Sequence, residues 1–127
     1  MANDRTYRLG ALQLEIMRVL WGTGPASVAD VQSQLGVDRL AYTTVATMLR
    51  KMEDRQLVRH HEEGRKFIYE AAVTAEEVTR SMADDLIDRL FEGNMANAVS
   101  HLLKTREVSP RELARLERMI RERKMQG

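Results

Sequence analysis

A short stretch near the middle of the chain carries side chains able to engage a base edge or a polyanion: Thr43, Thr47, Arg50 and Lys51. At about 100° per residue, Thr43, Thr47, Arg50 and Asp54 fall within a narrow arc of a helix, opposite Val45, Leu49 and Met52. One face then enters a core and the other is free to meet a partner. Threonine can touch a thymine methyl or donate to a base or phosphate, and arginine can pair with guanine or a phosphate; Lys51, at the flank, is placed for backbone. An ordinary solvated helix face would carry the same residues, so the arc gains meaning only from its surroundings. Further along, Arg65 and Lys66 stand beside Gly64, where a turn could bring two cations to phosphates or to a minor groove. Glu62 and Glu63 partly cancel that charge.

Catalytic and metal-binding constellations are weaker. The sequence has neither an HExxH motif nor a Gly-rich phosphate loop. His60 and His61 are neighbours on a β-prone run, so their side chains point to opposite faces and cannot readily share one ion. His101 lacks a second ligand at the usual spacing, and the acidic pairs Glu76-Glu77 and Asp84-Asp85 read as helix surface. These features point away from an enzyme, and no cofactor or metal is expected.

The elements that must hold the polar arc follow from periodicity. Leu12, Ile16, Val19 and Leu20 give an amphipathic helix ending near Trp21, broken by Gly22-Thr23-Gly24-Pro25. Ser27, with Asp30 three residues on, caps a second helix carrying Val28, Val31 and Leu35, and Gly36 ends it. A third helix runs from about Tyr42 to Arg55, with Val45, Met48, Leu49 and Met52 inward; its start has no capping oxygen, because Ala41 precedes it. Val58–Glu62 and Lys66–Glu70, joined through Glu63-Gly64-Arg65, read as a β-hairpin. Phe67 and Tyr69 share one face of its second strand and Ile68 takes the other. Three helices closed by a hairpin give the order of a winged helix-turn-helix.

Beyond residue 73 the chain is helical. Thr74 with Glu77 forms a capping box for a fourth helix bearing Val78, Met82, Leu86 and Leu90. After Gly93-Asn94 a fifth carries Met95, Ala98, Val99, Leu102 and Leu103, and Ser109-Pro110-Arg111-Glu112 starts a sixth with a seam of Leu113, Leu116 and Ile120. Three short amphipathic helices have little to bury against in one chain, so a second copy is the natural partner. The expected architecture is mainly α with a small β-hairpin: a winged-helix head over residues 1–73 and a three-helix dimerisation tail over residues 74–127. Folding of these helices back onto the head in a monomer is the alternative.

Composition agrees with a folded protein of this size. Of 127 residues, 31% are charged and 43% hydrophobic, and no apolar run reaches membrane-spanning length. Cysteine is absent, which removes disulfides and thiolate sites, and the first ten residues lack the apolar core of a signal peptide; a cytoplasmic protein is expected. The net charge of +1 does not announce a nucleic-acid partner. Residues 1–73 hold ten Lys/Arg against nine Asp/Glu, and residues 74–127 ten against ten, so a DNA-binding surface has to be a local patch.

Laid out in this way, the chain resembles the penicillinase-repressor (BlaI/MecI/CopY) family from about Leu9 to Lys124. The likeness is carried by the stretch from Leu12 to Trp21 (LQLEIMRVLW), by Ala41–Leu49 (AYTTVATML) and by His60–Tyr69 (HHEEGRKFIY). It implies a homodimer with a winged-helix head and a helical dimerisation tail, repressing genes from inverted-repeat operators. Recognition-helix contacts carry over to Thr43, Thr44, Thr47 and Arg50, and the basic wing contact to Arg65. Leu86, Leu90, Val99, Leu102, Leu113, Leu116 and Ile120 are the expected dimer contacts. Antibiotic-responsive members are cut in the tail at an Asn-Phe bond, and the matching place here reads His101-Leu102. That departure leaves a β-lactam-triggered protease without its sequence mark, although a regulatory protease acting elsewhere in the tail stays open. The copper-responsive branch uses cysteine pairs that this chain lacks.

The expected partners are therefore double-stranded operator DNA and a second copy, with no membrane. Two other readings compete. One is a winged-helix module whose polar third-helix face docks a protein; the other is a metabolite-sensing regulator with a pocket around Trp21, Tyr42 and Met82.

Overall fold

The computed structural model describes residues 5–127. Its elements follow the chain as α1 (Ala11–Thr23), β1 (Ala26–Ser27), α2 (Val28–Leu35), α3 (Tyr42–Asp54), β2 (Val58–Glu63), β3 (Lys66–Ala71), α4 (Ala75–Phe91), α5 (Met95–Thr105) and α6 (Pro110–Gln126). Residues up to Asp85 form one compact unit and Leu86–Gly127 a second.

In the first unit the amphipathic stripes of the helices meet as their spacing requires. Ile16, Met17, Val31, Val45, Leu49, Met52 and Val78 are fully buried, joined by Leu20, Leu57, Val58 and Tyr69. Ser27 caps α2: its Oγ accepts from the Asp30 N–H at 3.1 Å, and its own N–H donates to Asp30 Oδ2 at 3.2 Å. Gly36, at φ 112°, ends that helix in a conformation that a side chain rarely tolerates. Thr74 caps α4 in one direction, its Oγ1 accepting the Glu77 N–H at 3.1 Å and its hydroxyl donating to Glu77 Oε1 at 3.2 Å.

The hairpin has a partner that hydropathy does not reveal. Ala26 and Ser27 pair with Tyr69 and Ile68, so β1, β3 and β2 make a three-stranded antiparallel sheet in that order. Two residues after a proline are too few to show a period of two. Ser27 thus anchors the wing and caps α2 at once, tying the sheet to the helix-turn-helix.

A second feature lies ahead of α1. Tyr7 is buried in the core, its N–H donates to Ser81 Oγ at 2.8 Å and its hydroxyl donates to Glu77 at 3.2 Å. The Arg5 guanidinium donates to the carbonyls of Arg55 and Gln56, beyond the C-terminal end of α3. This segment links α4 to the end of α3, and with Val78 and Met82 it places the first half of α4 in the core of the first unit.

The second unit is built from the end of α4, α5 and α6. Asn94 caps α5 through the Asn97 N–H at 2.9 Å, and Ser109 caps α6 through the Glu112 N–H at 3.0 Å, with Pro110 opening the helix. Ala98 is buried, and the Phe91 and His101 rings meet at 5.7 Å. Most other apolar side chains remain exposed, among them Leu90 at 69%, Leu113 at 40% and Ile120 at 55%.

Candidate nucleic-acid interface

On α3 the two faces separate as the spacing predicts. Thr43, Thr44, Thr47, Arg50 and Lys51 are exposed, and Val45, Leu49 and Met52 are fully buried. Both ends of the helix are fixed from outside its own sequence. At the N-terminal side, Arg39 grips Glu15 of α1 with paired bonds of 2.7 and 2.8 Å, and Gln32 Nε2 donates to the Leu40 carbonyl at 2.9 Å. Planar guanidinium and carboxylate match in such a pair, which sets the α2–α3 turn in one orientation. That contact holds the Glu15 carboxyl below its ordinary value, through the hydrogen bond from Arg39 first; desolvation opposes it, and the charges of Arg39 and Arg18 add to the lowering.

At the other end the Leu57 N–H donates to the Met52 carbonyl and the Gln56 N–H to that of Glu53, both at 2.9 Å. This is a Schellman closure, with Gln56 at φ 65° in the position that usually favours glycine. Leu57 and Met52, joined by the first of these bonds, are both buried in the core cluster.

The wing turns through Gly64 and Arg65 between the paired residues Glu63 and Lys66. Gly64 has φ 63° and Arg65 does not have positive φ, as a two-residue turn with glycine first requires. Arg65 and Lys66 are exposed at this tip. Strand alternation sends His60 toward α3, where Nδ1 lies 2.7 Å from both carboxylate oxygens of Glu53, and sends His61 to the other side, 2.7 Å from Glu63. Between α3 and the wing lies a cleft of about 470 Å³ whose lining includes Tyr42, Arg50, Glu53, His60, Arg65 and Lys66. Three cations from two elements thus share one hollow, beside the exposed threonines of α3. At its floor Tyr69 has its phenol pushed above the ordinary value, by burial first and by the Glu53 carboxylate second, with Arg50 opposing.

A family model for the penicillinase repressor matches residues 9–122. The chain belongs to the penicillinase repressor family. It is similar to the penicillinase repressor of Bacillus licheniformis, 24% identical over 113 residues that cover 88% of each chain. It is also similar to that of Staphylococcus aureus, 16% identical over 117 residues covering 91% of this chain and 92% of the relative. Among solved structures, a MarR family protein from Bacillus stearothermophilus shares the fold at TM-score 0.50 and 18% identity, covering 94% of this chain and 76% of that one. This penicillinase repressor family member is a winged-helix transcriptional regulator and not an enzyme.

Not every residue singled out from the sequence lines the cleft. Arg50, Arg65 and Lys66 do, whereas Thr43, Thr44, Thr47 and Lys51 lie on the exposed surface of α3 outside it. The grouping of Trp21, Tyr42 and Met82 is not one site. Trp21 Nε1 donates to the Val73 carbonyl at 2.9 Å and Met82 packs on the core, whereas Tyr42 lines the cleft. Sequence reasoning missed Glu53, His60 and Phe67 as neighbours of the basic residues. The period-two alternation from Val58 to Glu62 was the available signal, since it places His60 on the buried side with Val58.

Proposed function

We propose that this family member is a homodimeric repressor that binds an inverted-repeat operator, with Thr43, Thr44 and Thr47 meeting base edges. Arg50, Lys51, Arg65 and Lys66 hold the flanking phosphates in this reading. The observation that carries it is the shared cleft of Arg50, Arg65 and Lys66 beside an exposed hydroxyl-bearing helix face. A base-reading helix flanked by a basic wing matches the division of labour in DNA recognition, in which phosphate contacts fix register and side chains in the major groove discriminate sequence. The neutral balance of the chain is no obstacle, because the contacting charge is local.

Dimerisation is assigned to the helical region from residue 74 onward, through Leu86, Leu90, Val99, Leu102, Leu113, Leu116 and Ile120, while the head takes in residues 1–73 and the first half of α4 that packs on its core. The exposure of most of these side chains supports it. In the same reading, cutting the tail would separate the two copies and relieve repression. The His101-Leu102 bond lies inside α5, so a protease acting there needs that helix to unwind first.

Titration of the full chain against a palindromic operator duplex at several salt concentrations tests the reading, since neutralised phosphates release counterions and log K falls linearly with log salt. Arg65→Ala is expected to lower the slope by about 1 and to weaken cognate and random duplex alike. Thr44→Ala and Thr47→Ala are expected instead to lose discrimination against mutated half-sites, by about 1–3 kcal/mol per base contact. Unchanged sequence preference in both threonine variants would remove α3 as the reader.

A further inference from the structure

Glu53 is out of place in a DNA-facing hollow. It is a carboxylate among Arg50, Arg65 and Lys66, where a simple count of charges makes it repel phosphate. Its contacts, however, are made to the wing. Both carboxylate oxygens lie 2.7 Å from His60 Nδ1, and Oε2 also accepts the His60 backbone N–H at 3.2 Å. The imidazole in turn stacks on Phe67 with ring centroids 4.4 Å apart and 25° between planes, and leans on Tyr69 at 5.4 Å. His60 is paired across the strands with Tyr69, and Phe67 is two residues from Tyr69 and two from Arg65. Phe67 is 44% exposed and lines the cleft. A hairpin rising from a sheet is free to swing at its tip unless a side chain props it, and here a ring wedged between an α3 carboxylate and the wing's own aromatic face is that prop.

We infer that Glu53, His60 and Phe67 form a buttress that fixes the wing against α3, so that Glu53, although anionic, favours DNA binding by holding Arg65 and Lys66 at the spacing from α3 that a duplex requires. The inference rests on the proposed role of α3 and the wing in binding DNA. Glu53 and His60 are positioning residues, acting through the wing cations. Two opposing effects meet at Glu53. Removing its charge strengthens phosphate attraction, whereas releasing the wing loses the ordered contact of Arg65, and the second effect governs.

The test is a double-mutant cycle on the full chain, read by operator titration at several salt concentrations. Arg65→Ala is placed in the parent, in Glu53→Ala, in His60→Ala and in Phe67→Ala. In the parent it is expected to lower the salt slope by about 1. In the other three backgrounds it is expected to leave the slope nearly unchanged and to cost at least about threefold less in affinity than in the parent. Glu53→Ala alone is expected to weaken operator binding, and Glu53→Gln, which keeps an acceptor for the imidazole N–H, to restore most of it. Loss of folded protein reduces the active fraction without altering the slope, so the slope separates positioning from instability. Phe67→Ala, at a half-exposed site outside the core, decides the matter if His60→Ala does not fold. If Arg65→Ala has no effect in the parent, the wing does not bind DNA and the functional reading fails, taking the buttress with it. If Arg65→Ala weakens the parent but costs the same in every background, or Glu53→Ala tightens binding, the buttress alone is overturned.

Discussion

At the scale of single residues, Glu15 and Arg39 show how an exposed ion pair can matter through geometry. Surface pairs contribute little to stability on average, because solvent screens them. This one is bidentate and joins α1 to the turn that leads into α3. The Arg39 hydrogen bond depresses the Glu15 carboxyl from its ordinary 4.5, and Ser27 depresses Asp30 in the same direction. A carboxyl with a depressed folded value binds fewer protons folded than unfolded, so its contribution is present above the unfolded value and is lost as pH falls through the folded one. Stability is therefore expected to decline as pH falls below about 4.5. Glu15→Gln should make that decline shallower while lowering stability at neutral pH. Denaturant unfolding from pH 3 to 7 measures both; an identical acid limb in the variant would show that the pair carries none of it.

At the scale of elements, each end of α3 is held by something other than its own helical propensity. Ala41 gives no side-chain cap, and the Arg39–Glu15 pair and the Gln32–Leu40 bond orient the approach. The closing turn puts a glutamine in the left-handed region. That conformation costs an L residue about 1–2 kcal/mol, and glycine's extra freedom in the unfolded chain returns about 0.4–1 kcal/mol of the difference. Gln56→Gly is thus expected to stabilise the protein by roughly 0.5–1 kcal/mol. The closure itself is backbone to backbone, so DNA binding should stay as it is. Chemical denaturation of parent and variant measures the gain, and a loss of stability would mean that the Gln56 side chain contributes more than its conformation costs.

At the scale of the whole molecule, a winged helix covers one half-site, and two heads can meet half-sites roughly 34–36 Å apart or at a multiple of that repeat. Linking the heads makes the second contact intramolecular, which raises affinity without any new contact. Replacing Leu113, Leu116 and Ile120 with polar residues in the full chain is expected to give monomers that keep their head fold and bind the operator at least about tenfold more weakly. Sedimentation beside operator titration reads both. A monomer that binds as tightly as the parent would overturn dimer control. Truncation at residue 73 would be a poorer test, because Val78 and Met82 belong to the head core and Glu77 and Ser81 hold Tyr7.

The sequence alone determined the local pieces of this protein. Helix starts at Ser27, Thr74 and Ser109, the stop at Gly36, the inward set Val45, Leu49 and Met52, and the glycine turn of the wing all depend on contacts a few residues long or on one period. The fold class and the family were legible for the same reason, since the order of such pieces is a property of the chain. Tertiary structure decided what depends on contacts distant in sequence. It placed Tyr7 in the core and made Ala26 and Ser27 a third strand. It also brought Glu53 of α3 to His60 and Phe67 of the wing, and gathered Arg50 with Arg65 and Lys66 around one hollow. The physical reason is that periodicity specifies which face of an element is turned inward, whereas the identity of the facing neighbour is set only when separate elements pack against a common core.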